Sequence, residues 1–184
     1  METRAVLAAA SLAAELHSGH RYGAHPYTFH TATVASVLSE AFARHPMREV
    51  LICAGHLHDA LEDSLDLEAA SGSILRELGD IGSAVLEIVK AVTDEPGRSR
   101  SERARRTRPK TAAAGWPAVA VKLADRMCNM RQAAEDGSDL FRMYCKEYPT
   151  FRADLYQVGV EIPEIASMWA ELDGCFASRD RGAR

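Results

Sequence analysis

Apolar residues recur along this chain at helical spacing, and alternating runs of β-branched residues are missing from its sequence. With about 3.6 residues per turn, apolar positions three or four residues apart form one face of an amphipathic helix. Residues 4–17 fit this pattern, with Val6, Leu12 and Leu16 set among alanines, which favour helix. The pattern predicts an all-α fold.

The remaining apolar stripes are bounded by proline, glycine and capping residues, which mark helix ends. Further helices are predicted at about 30–44, 48–63, 66–78, 81–93, 117–134, 139–157 and 163–177. A loop surrounds Pro26, DEPG at 94–97 forms a turn, and SRDRGAR at the end forms a frayed tail. Because the connections are short and the sequence shows no linker or repeat, we expect one domain over residues 1–184, with its core at about 4–177.

Composition narrows the class of protein. The chain has 184 residues, 47% of them hydrophobic, and a net charge of −4, which argues against a DNA or RNA partner by charge alone. No apolar run reaches the roughly 20 residues of a membrane span, and no secretory signal pattern precedes residue 20. The four cysteines are widely spaced, which is atypical of a disulfide framework. We therefore expect a cytoplasmic protein with free thiols and no membrane partner.

The third predicted helix carries an unusual polar group inside the apolar run LICAGHLHDALED. At about 100° per residue, His58, Asp59, Glu62 and Asp63 share one side of a helix, while Leu57 and Leu61 take the other. Three ionised carboxylates this close to an imidazole repel one another unless a positive charge compensates them. A divalent cation is a compact solution, because histidine and aspartate both ligate such ions. The alternative is a solvated helix end.

A second polar stripe lies in the apolar segment VKLADRMCNMR. Lys122, Asp125 and Asn129 are spaced i, i+3 and i+7 and therefore share one helix face. Asp125 offers a further carboxylate, although a salt bridge to Lys122 or Arg126 would also explain it. Adjacent His58 and Asp59 cannot complete a coordination sphere, so other ligands must come from elsewhere in the chain.

Three blocks together resemble a known family: P-Y-x-x-H at 26–30, H-D-x-x-E-D at 58–63 and K-L-A-D-R-x-x-N at 122–129. The set is similar to HD-domain metal-dependent phosphohydrolases. The blocks also look like the hydrolase domain of the Rel/SpoT enzymes and like the small stand-alone alarmone hydrolases. Those enzymes cleave the 3′-pyrophosphate of guanosine tetra- and pentaphosphate.

The resemblance implies a role for each matching residue. His30, His58, Asp59 and Asp125 would bind one divalent metal, usually Mn²⁺ in this family, with Zn²⁺, Fe²⁺ or Co²⁺ as alternatives. Glu62 and Asp63 would position or activate the attacking water as the catalytic pair. Lys122 and Asn129 would contact a phosphorylated nucleotide substrate. Two imidazoles and two carboxylates would leave coordination positions open for water and a phosphate oxygen.

Additional substrate contacts are predicted outside these blocks. The segment HSGHRYGAHPY is shorter than its counterpart in the alarmone hydrolases and leaves Arg21 as its candidate for base stacking or phosphate binding. The segment RSRSERARRTRPK at 98–110 holds seven Lys or Arg against one Glu, which indicates a phosphate-attracting arm or lid near the cleft, or alternatively a solvated loop. In MYCKEYPTFR, Lys146 and Tyr148 are further candidates for holding a phosphate or a base.

Other functions fit the same residues. An HD-type nucleotidase or sugar-phosphate phosphatase would use the same chemistry on a different substrate. A catalytically inactive HD-like binding module is disfavoured by the full set of ligand types together with Glu62 and Asp63. A ferritin-like di-iron protein would need Glu-x-x-His repeats, which the sequence lacks. The sequence leaves the oligomeric state open.

Overall fold

The computed structural model describes residues 2–62 and 64–177. Within these ranges the chain forms nine α-helices and one small antiparallel hairpin. The predicted all-α class is therefore confirmed. Asp63 and the predicted tail at 178–184 lie outside the described residues, and the division of the chain into one domain stays a prediction.

The helices are α1 (Arg4–Leu16), α2 (Tyr27–Ala41), α3 (Arg48–Leu57), α4 (Leu67–Leu78), α5 (Gly82–Val92), α6 (Arg100–Ala113), α7 (Trp116–Glu135), α8 (Asp139–Leu155) and α9 (Pro163–Ala177). A short 3-10 turn, Gly79–Ile81, precedes α5. The hairpin pairs β1 (Arg21–Tyr22) with β2 (His25–Pro26) between α1 and α2, where the sequence predicted only a loop.

Helices α2 and α3 approach each other closely at Gly55. A side chain at this position would place its Cβ 2.8 Å from Leu38 Cδ1 and 3.0 Å from the backbone of Ala35, so Leu38 and the backbone of α2 would have to shift. Glycine allows the close approach without that shift. The close approach brings the polar residues at the end of α3 beside His30 on α2.

Helix α7 runs through the core and packs against α2, α3, α5, α6, α8 and α9. Most of its length is buried, including Val119, Leu123, Met127 and Met130. This burial fixes the axial position and rotation of α7, so its half-buried polar stripe at Asp125 and Asn129 faces the end of α3.

The basic segment 98–110 is neither an arm nor a loop, because it forms most of α6. Ser99 caps the helix by accepting a hydrogen bond from the Glu102 amide. The buried positions of α6 are polar, so the sequence shows no apolar stripe that would predict this helix. Thr111, for example, is fully buried and donates to the carbonyl of Ala91, 2.9 Å away. The helix is anchored by hydrogen bonds where other helices use apolar contacts.

Among the described residues, none of the helices is both long and apolar enough to cross a bilayer.

Candidate active site

Four side chains from three elements converge at one end of a cleft. His30 comes from the second turn of α2, His58 and Asp59 follow the last residue of α3, and Asp125 lies in the middle of α7. The two Nε2 atoms of His30 and His58 are 3.2 Å apart. Asp125 Oδ1 lies 3.3 and 3.7 Å from these nitrogens, and Asp59 Oδ2 lies 3.8 and 3.0 Å from them.

These separations suit a single divalent ion. Bonds of about 2.1 Å to one centre place neighbouring ligand atoms roughly 3.0 to 3.4 Å apart, depending on the coordination angle. Donor atoms of His30, His58 and Asp125 all lie within 4.8 Å of one another, and Asp59 approaches from the His58 side. Two nitrogens and two carboxylate oxygens form a donor set that suits Mn²⁺, Fe²⁺, Co²⁺ or Zn²⁺. The residues present therefore fit the metal that the sequence implied.

The two histidines are held in different ways. His58 Nδ1 lies 2.9 Å from the carbonyl of Gly55, so Nδ1 carries a proton and Nε2 is the ring nitrogen that faces the other candidate ligands. His30 Nδ1 is buried and has no hydrogen-bond partner among the described residues. Its ring instead stacks on Tyr22, with centroids 4.5 Å apart and planes 22° from parallel.

The electrostatics of this group call for a positive charge. Burial disfavours the charged form of His58, but Asp59 and Asp125 outweigh it and raise the pKa of His58 to about 9. Burial also opposes ionisation of Asp125, yet contact with His30 and His58 lowers the pKa of Asp125 to about 2. The pKa of the Asp59 carboxyl is held far below its usual range by the same imidazoles and by Tyr27. Both carboxylates stay ionised, which favours a bound cation.

Glu62 reaches the cleft from a turn and not from a helix face. The helix predicted over 48–63 ends at Leu57, and Glu62 N–H donates to the Asp59 carbonyl at 3.0 Å, which closes a tighter turn. The Glu62 carboxylate accepts a hydrogen bond of 2.6 Å from the Asp94 amide. Desolvation at the cleft and the nearby Asp59 charge raise the pKa of Glu62 to about 7, against the opposing effect of Lys122.

The cleft has a volume of about 160 Å³ and two chemically different sides. We call one side the ligand wall, which consists of Tyr27, His30, Asp59, Glu62, Lys122, Asp125 and Asn129. We call the other the cationic wall, which consists of Arg100, Arg108, Arg126, Tyr144, Glu147 and Phe151 from α6, α7 and α8. A ligand that filled the cleft would meet both groups of residues.

The cationic wall is built around Glu147. Arg100 Nε and Arg126 Nη1 both donate to this carboxylate, at 2.6 and 3.0 Å. The Arg126 guanidinium also lies 4.7 and 4.8 Å from the ring centroids of Tyr144 and Phe151. Although desolvation opposes it, the two arginines hold the pKa of Glu147 below its ordinary value. The wall carries more positive than negative charge and presents aromatic faces.

Comparison with known proteins places the chain in a family. The model of the HD domain family matches residues 9–148, which is most of the sequence. The chain belongs to the HD domain family.

Two relatives refine this assignment. The zebrafish (Danio rerio) protein guanosine-3′,5′-bis(diphosphate) 3′-pyrophosphohydrolase MESH1 is 31% identical over 133 residues, which covers 70% of this chain and 69% of that protein. A solved structure described as a metazoan ortholog of SpoT that hydrolyzes ppGpp has the same fold, with a TM-score of 0.73, 22% identity and 97% coverage of both chains. The predicted family and the prediction of a metal-dependent hydrolase are confirmed.

This HD domain brings most of the predicted site residues together. His30, Asp59, Glu62, Lys122, Asp125 and Asn129 all line the cleft, and His58 lies directly behind Asp59. Their individual roles stay predictions. Asp63 lies outside the described residues, so its place in the catalytic pair also stays a prediction.

Three predicted substrate contacts lie outside the cleft lining. Arg21 is exposed on β1 and donates to the carbonyl of Ala24. Lys146 is exposed on α8, and Tyr148, two residues on, donates to Asp173 and stacks on Phe176. Helix α8 instead turns Tyr144, Glu147 and Phe151 toward the cleft, because the residues facing it are spaced three or four apart along the helix.

Four cations of the basic segment fall into two groups. Arg100 and Arg108 line the cleft. Arg106 and Lys110 instead hold the loop after α5: Arg106 donates to the Pro96 carbonyl at 2.8 Å, and Lys110 donates to the Thr93 carbonyl at 2.8 Å. That loop in turn supplies the Asp94 amide to Glu62. Part of the basic segment therefore supports the ligand wall from behind.

Sequence reasoning missed the residues that support the ligands. Tyr22 and Tyr27 stand beside His30 in the fold, yet only Tyr27 falls inside a motif block. Arg126 also lies in a motif block, but the hydrophobic periodicity of the sequence does not reveal that its side chain is buried against aromatic rings. A search for aromatic residues within four positions of candidate ligands would have found Tyr27.

Proposed function

We propose that this HD domain is a metal-dependent hydrolase of a phosphorylated nucleotide, and that its substrate is the 3′-pyrophosphate of a guanosine tetra- or pentaphosphate alarmone. The observation that carries the proposal is the convergence of two Nε2 atoms, 3.2 Å apart, with carboxylate oxygens of Asp59 and Asp125 that lie 3.0–3.8 Å from these nitrogens, beside the raised-pKa carboxyl of Glu62. The substrate is taken from the named activity of the zebrafish relative.

In this proposal His30, His58, Asp59 and Asp125 hold one divalent ion, with Mn²⁺ as the favoured ion. When bound, such an ion lowers the pKa of water and polarises a phosphoryl oxygen. The residues around it hold the geometry: the Gly55 carbonyl fixes the tautomer of His58, and the two carboxylates supply the negative charge that retains a cation.

Glu62 acts as the general base in this proposal. Its carboxylate takes a proton from the attacking water as the water oxygen bonds to the 3′-linked phosphorus. The bond from that phosphorus to the 3′ oxygen then breaks, pyrophosphate leaves, and the 3′ oxygen takes up a proton to become a hydroxyl. A base with a pKa near 7 is suited to this exchange at neutral pH. Asp63 is the other candidate for this role.

The remaining phosphates of the substrate would face the cationic wall. Arg100 and Arg126 form a positive pair whose geometry is set in advance by Glu147, and Tyr144 offers an aromatic face beside them. Guanidinium groups suit phosphate oxygens because they donate through a planar fork. Lys122 and Asn129 would contact the part of the substrate that lies over the ligand wall.

The substrate assignment can be tested directly. The purified protein is incubated with Mn²⁺ and a panel of phosphorylated nucleotides and sugar phosphates, and the products are followed by phosphorus NMR. We expect pyrophosphate and a free 3′-hydroxyl from the guanosine alarmone, and no turnover by Asp59→Ala. Orthophosphate release from a nucleoside monophosphate or a sugar phosphate would instead establish the alternative, an HD-type nucleotidase or phosphatase.

One observation keeps that alternative in view. Arg21 was the candidate for base recognition in the shortened segment before Pro26, and its guanidinium is engaged by the Ala24 carbonyl on an exposed hairpin. Base recognition therefore has no assigned residue in the cleft. We further propose a cytoplasmic location and a single domain, which agree with the substrate class.

A further inference from the structure

Each of the two candidate carboxylate ligands receives one neutral hydrogen-bond donor on the oxygen that faces the imidazoles. Tyr27 OH donates to Asp59 Oδ2 at 2.6 Å, and this oxygen lies 3.0 Å from His58 Nε2. Asn129 Nδ2 donates to Asp125 Oδ1, the oxygen that lies 3.3 Å from His30 Nε2. The arrangement is the same on both sides of the site.

A chain of contacts extends the second of these bonds to Tyr22. The Tyr22 hydroxyl donates to Asn129 Oδ1 at 2.9 Å, and this bond orients the amide so that its NH₂ points at Asp125. The ring of Tyr22 also stacks on His30. Because His30 Nδ1 has no hydrogen-bond partner among the described residues, the plane of the His30 ring is held by the stacked ring of Tyr22 together with edge contacts to Tyr27 and His58.

Neutral donors suit this position. The terminal torsion of an aspartate is broad, so a carboxylate needs an external donor to fix its rotation. A phenol or an amide occupies one lone pair and leaves the other free, without adding a charge that would compete with a cation. A lysine or arginine at the same place would offset the negative charge that both carboxylates keep at neutral pH.

We propose that Tyr22 and Tyr27 are positioning residues of the metal site: Tyr27 orients Asp59 directly, and Tyr22 orients Asp125 through Asn129 while its ring holds His30. Nothing in the predicted site residues or in the named activities of the relatives assigns a role to either tyrosine. The inference rests on the proposed metal site but not on the identity of the substrate.

The test measures Mn²⁺ affinity without substrate, by electron paramagnetic resonance of the free ion. Partners of metal-bound side chains typically change affinity by about 10–100-fold when removed. We expect Tyr27→Phe to weaken Mn²⁺ binding by about tenfold and Tyr22→Phe by a smaller factor. Tyr22→Leu, which also removes the stacked ring, should weaken it further than Tyr22→Phe. Tyr156→Phe is the matched control, because Tyr156 lies at the α8–α9 side and is absent from the cleft lining.

Double variants separate positioning from a general structural effect. If Tyr22 acts on Asp125 through Asn129, adding Tyr22→Phe to Asn129→Ala should change Mn²⁺ affinity no further, whereas adding Tyr27→Phe should weaken it by its full factor. If the losses of Mn²⁺ affinity from Tyr22→Phe and Asn129→Ala add in the double variant, Tyr22 does not act on Asp125 through Asn129. Circular dichroism and thermal melting of the metal-free variants check that each one folds.

Failure of the inference is distinct from failure of the proposed function. Wild-type protein that binds Mn²⁺, with Tyr22→Phe, Tyr22→Leu and Tyr27→Phe equal to it, would overturn the roles of the tyrosines alone. Wild-type protein that binds no divalent ion would overturn the metal site, and the inference with it.

Discussion

The two walls of the cleft are stabilised in opposite ways. On the ligand wall, carboxylates and imidazoles crowd together and their neighbours Tyr27 and Asn129 are neutral. On the cationic wall, Arg100 and Arg126 have already found a carboxylate in Glu147, and aromatic rings cover the Arg126 guanidinium. The carboxylates of the ligand wall favour a cation, whereas Arg100 and Arg126 share one carboxylate and keep a net positive charge for an anionic ligand. The difference indicates that metal binding and substrate binding can be disturbed separately.

The most direct test of this difference between the walls is to remove one of the proposed metal-ligating side chains. Asp59→Ala deletes one of the four donor groups and the acceptor of the Tyr27 hydroxyl. We expect loss of Mn²⁺-dependent phosphate or pyrophosphate release to background, while the fold persists because Asp59 is not part of the apolar core. Turnover assays with circular dichroism check both points. Unchanged turnover of the purified variant would remove Asp59 from the site.

Replacement of the proposed base should lower the reaction rate and leave metal binding unchanged. Glu62→Gln keeps the size of the side chain and its acceptor for the Asp94 amide, but it cannot accept a proton from water. We expect kcat to fall by about 10²–10⁴-fold, the usual contribution of general base catalysis, at unchanged Mn²⁺ content. Elemental analysis is the control, since a loss of metal would make Glu62 a ligand instead.

The pH dependence follows from the raised pKa of Glu62. In the metal-free protein the Glu62 carboxyl should titrate at about 7, and a bound cation, by offsetting the charge of Asp59, should lower that midpoint. Activity therefore rises with pH and falls about tenfold per unit below the midpoint, because only the ionised form is a base. Carbon NMR of the carboxyl and kcat/KM profiles measure the two quantities. A profile in Glu62→Gln with the same midpoint would assign the titration to another group.

The raised pKa of Glu62 also predicts how the free energy of unfolding changes with pH. The folded protein binds the Glu62 proton more tightly than the unfolded chain, whose pKa is 4.5. Stabilisation from this group is therefore present below pH 4.5 and is lost as pH rises toward about 7. Glu62→Gln should remove that part of the dependence in urea unfolding measured across this range.

Loss of a cation from the cationic wall should raise KM. Arg100→Gln removes a half-exposed guanidinium that lies 2.6 Å from Glu147 and lines the cleft. We expect KM to rise by about tenfold or less, with Mn²⁺ affinity unchanged and with a weaker dependence of KM on salt, because a screened attraction has been lost. Equal KM values for the variant and the wild type at low and high salt would remove Arg100 from substrate binding.

The smallest effect is expected from a cation of α6 that faces away from the cleft. Arg105 is exposed and is absent from the residues that line the cleft. Exposed substitutions of this kind usually change the free energy of unfolding by about 0.5 kcal/mol or less, so Arg105→Gln should stay within that range. KM should stay unchanged, and a rise equal to that of Arg100→Gln would show that the whole basic segment acts on substrate.

Local pattern was sufficient for most of the fold. Apolar stripes predicted the helices at the positions of α1, α2, α4, α5, α7, α8 and α9 to within a few residues. It was insufficient for α6, whose buried face is made of threonine and arginine, and for the end of α3, where helical periodicity was extended past Leu57. Both errors occur where hydrogen bonds, and not apolar burial, decide the backbone.

The sequence by itself determined the family and the residue types of the ligand wall, because three spaced motifs can be read without knowing the fold. Only the tertiary structure decided which residues oppose them. The side chains of Tyr144 and Glu147 meet the cleft, and those of Lys146 and Tyr148 do not, because the packing of α8 against α6 and α7 fixes its rotation. Such a rotation depends on contacts between residues far apart in the chain, which no local pattern records.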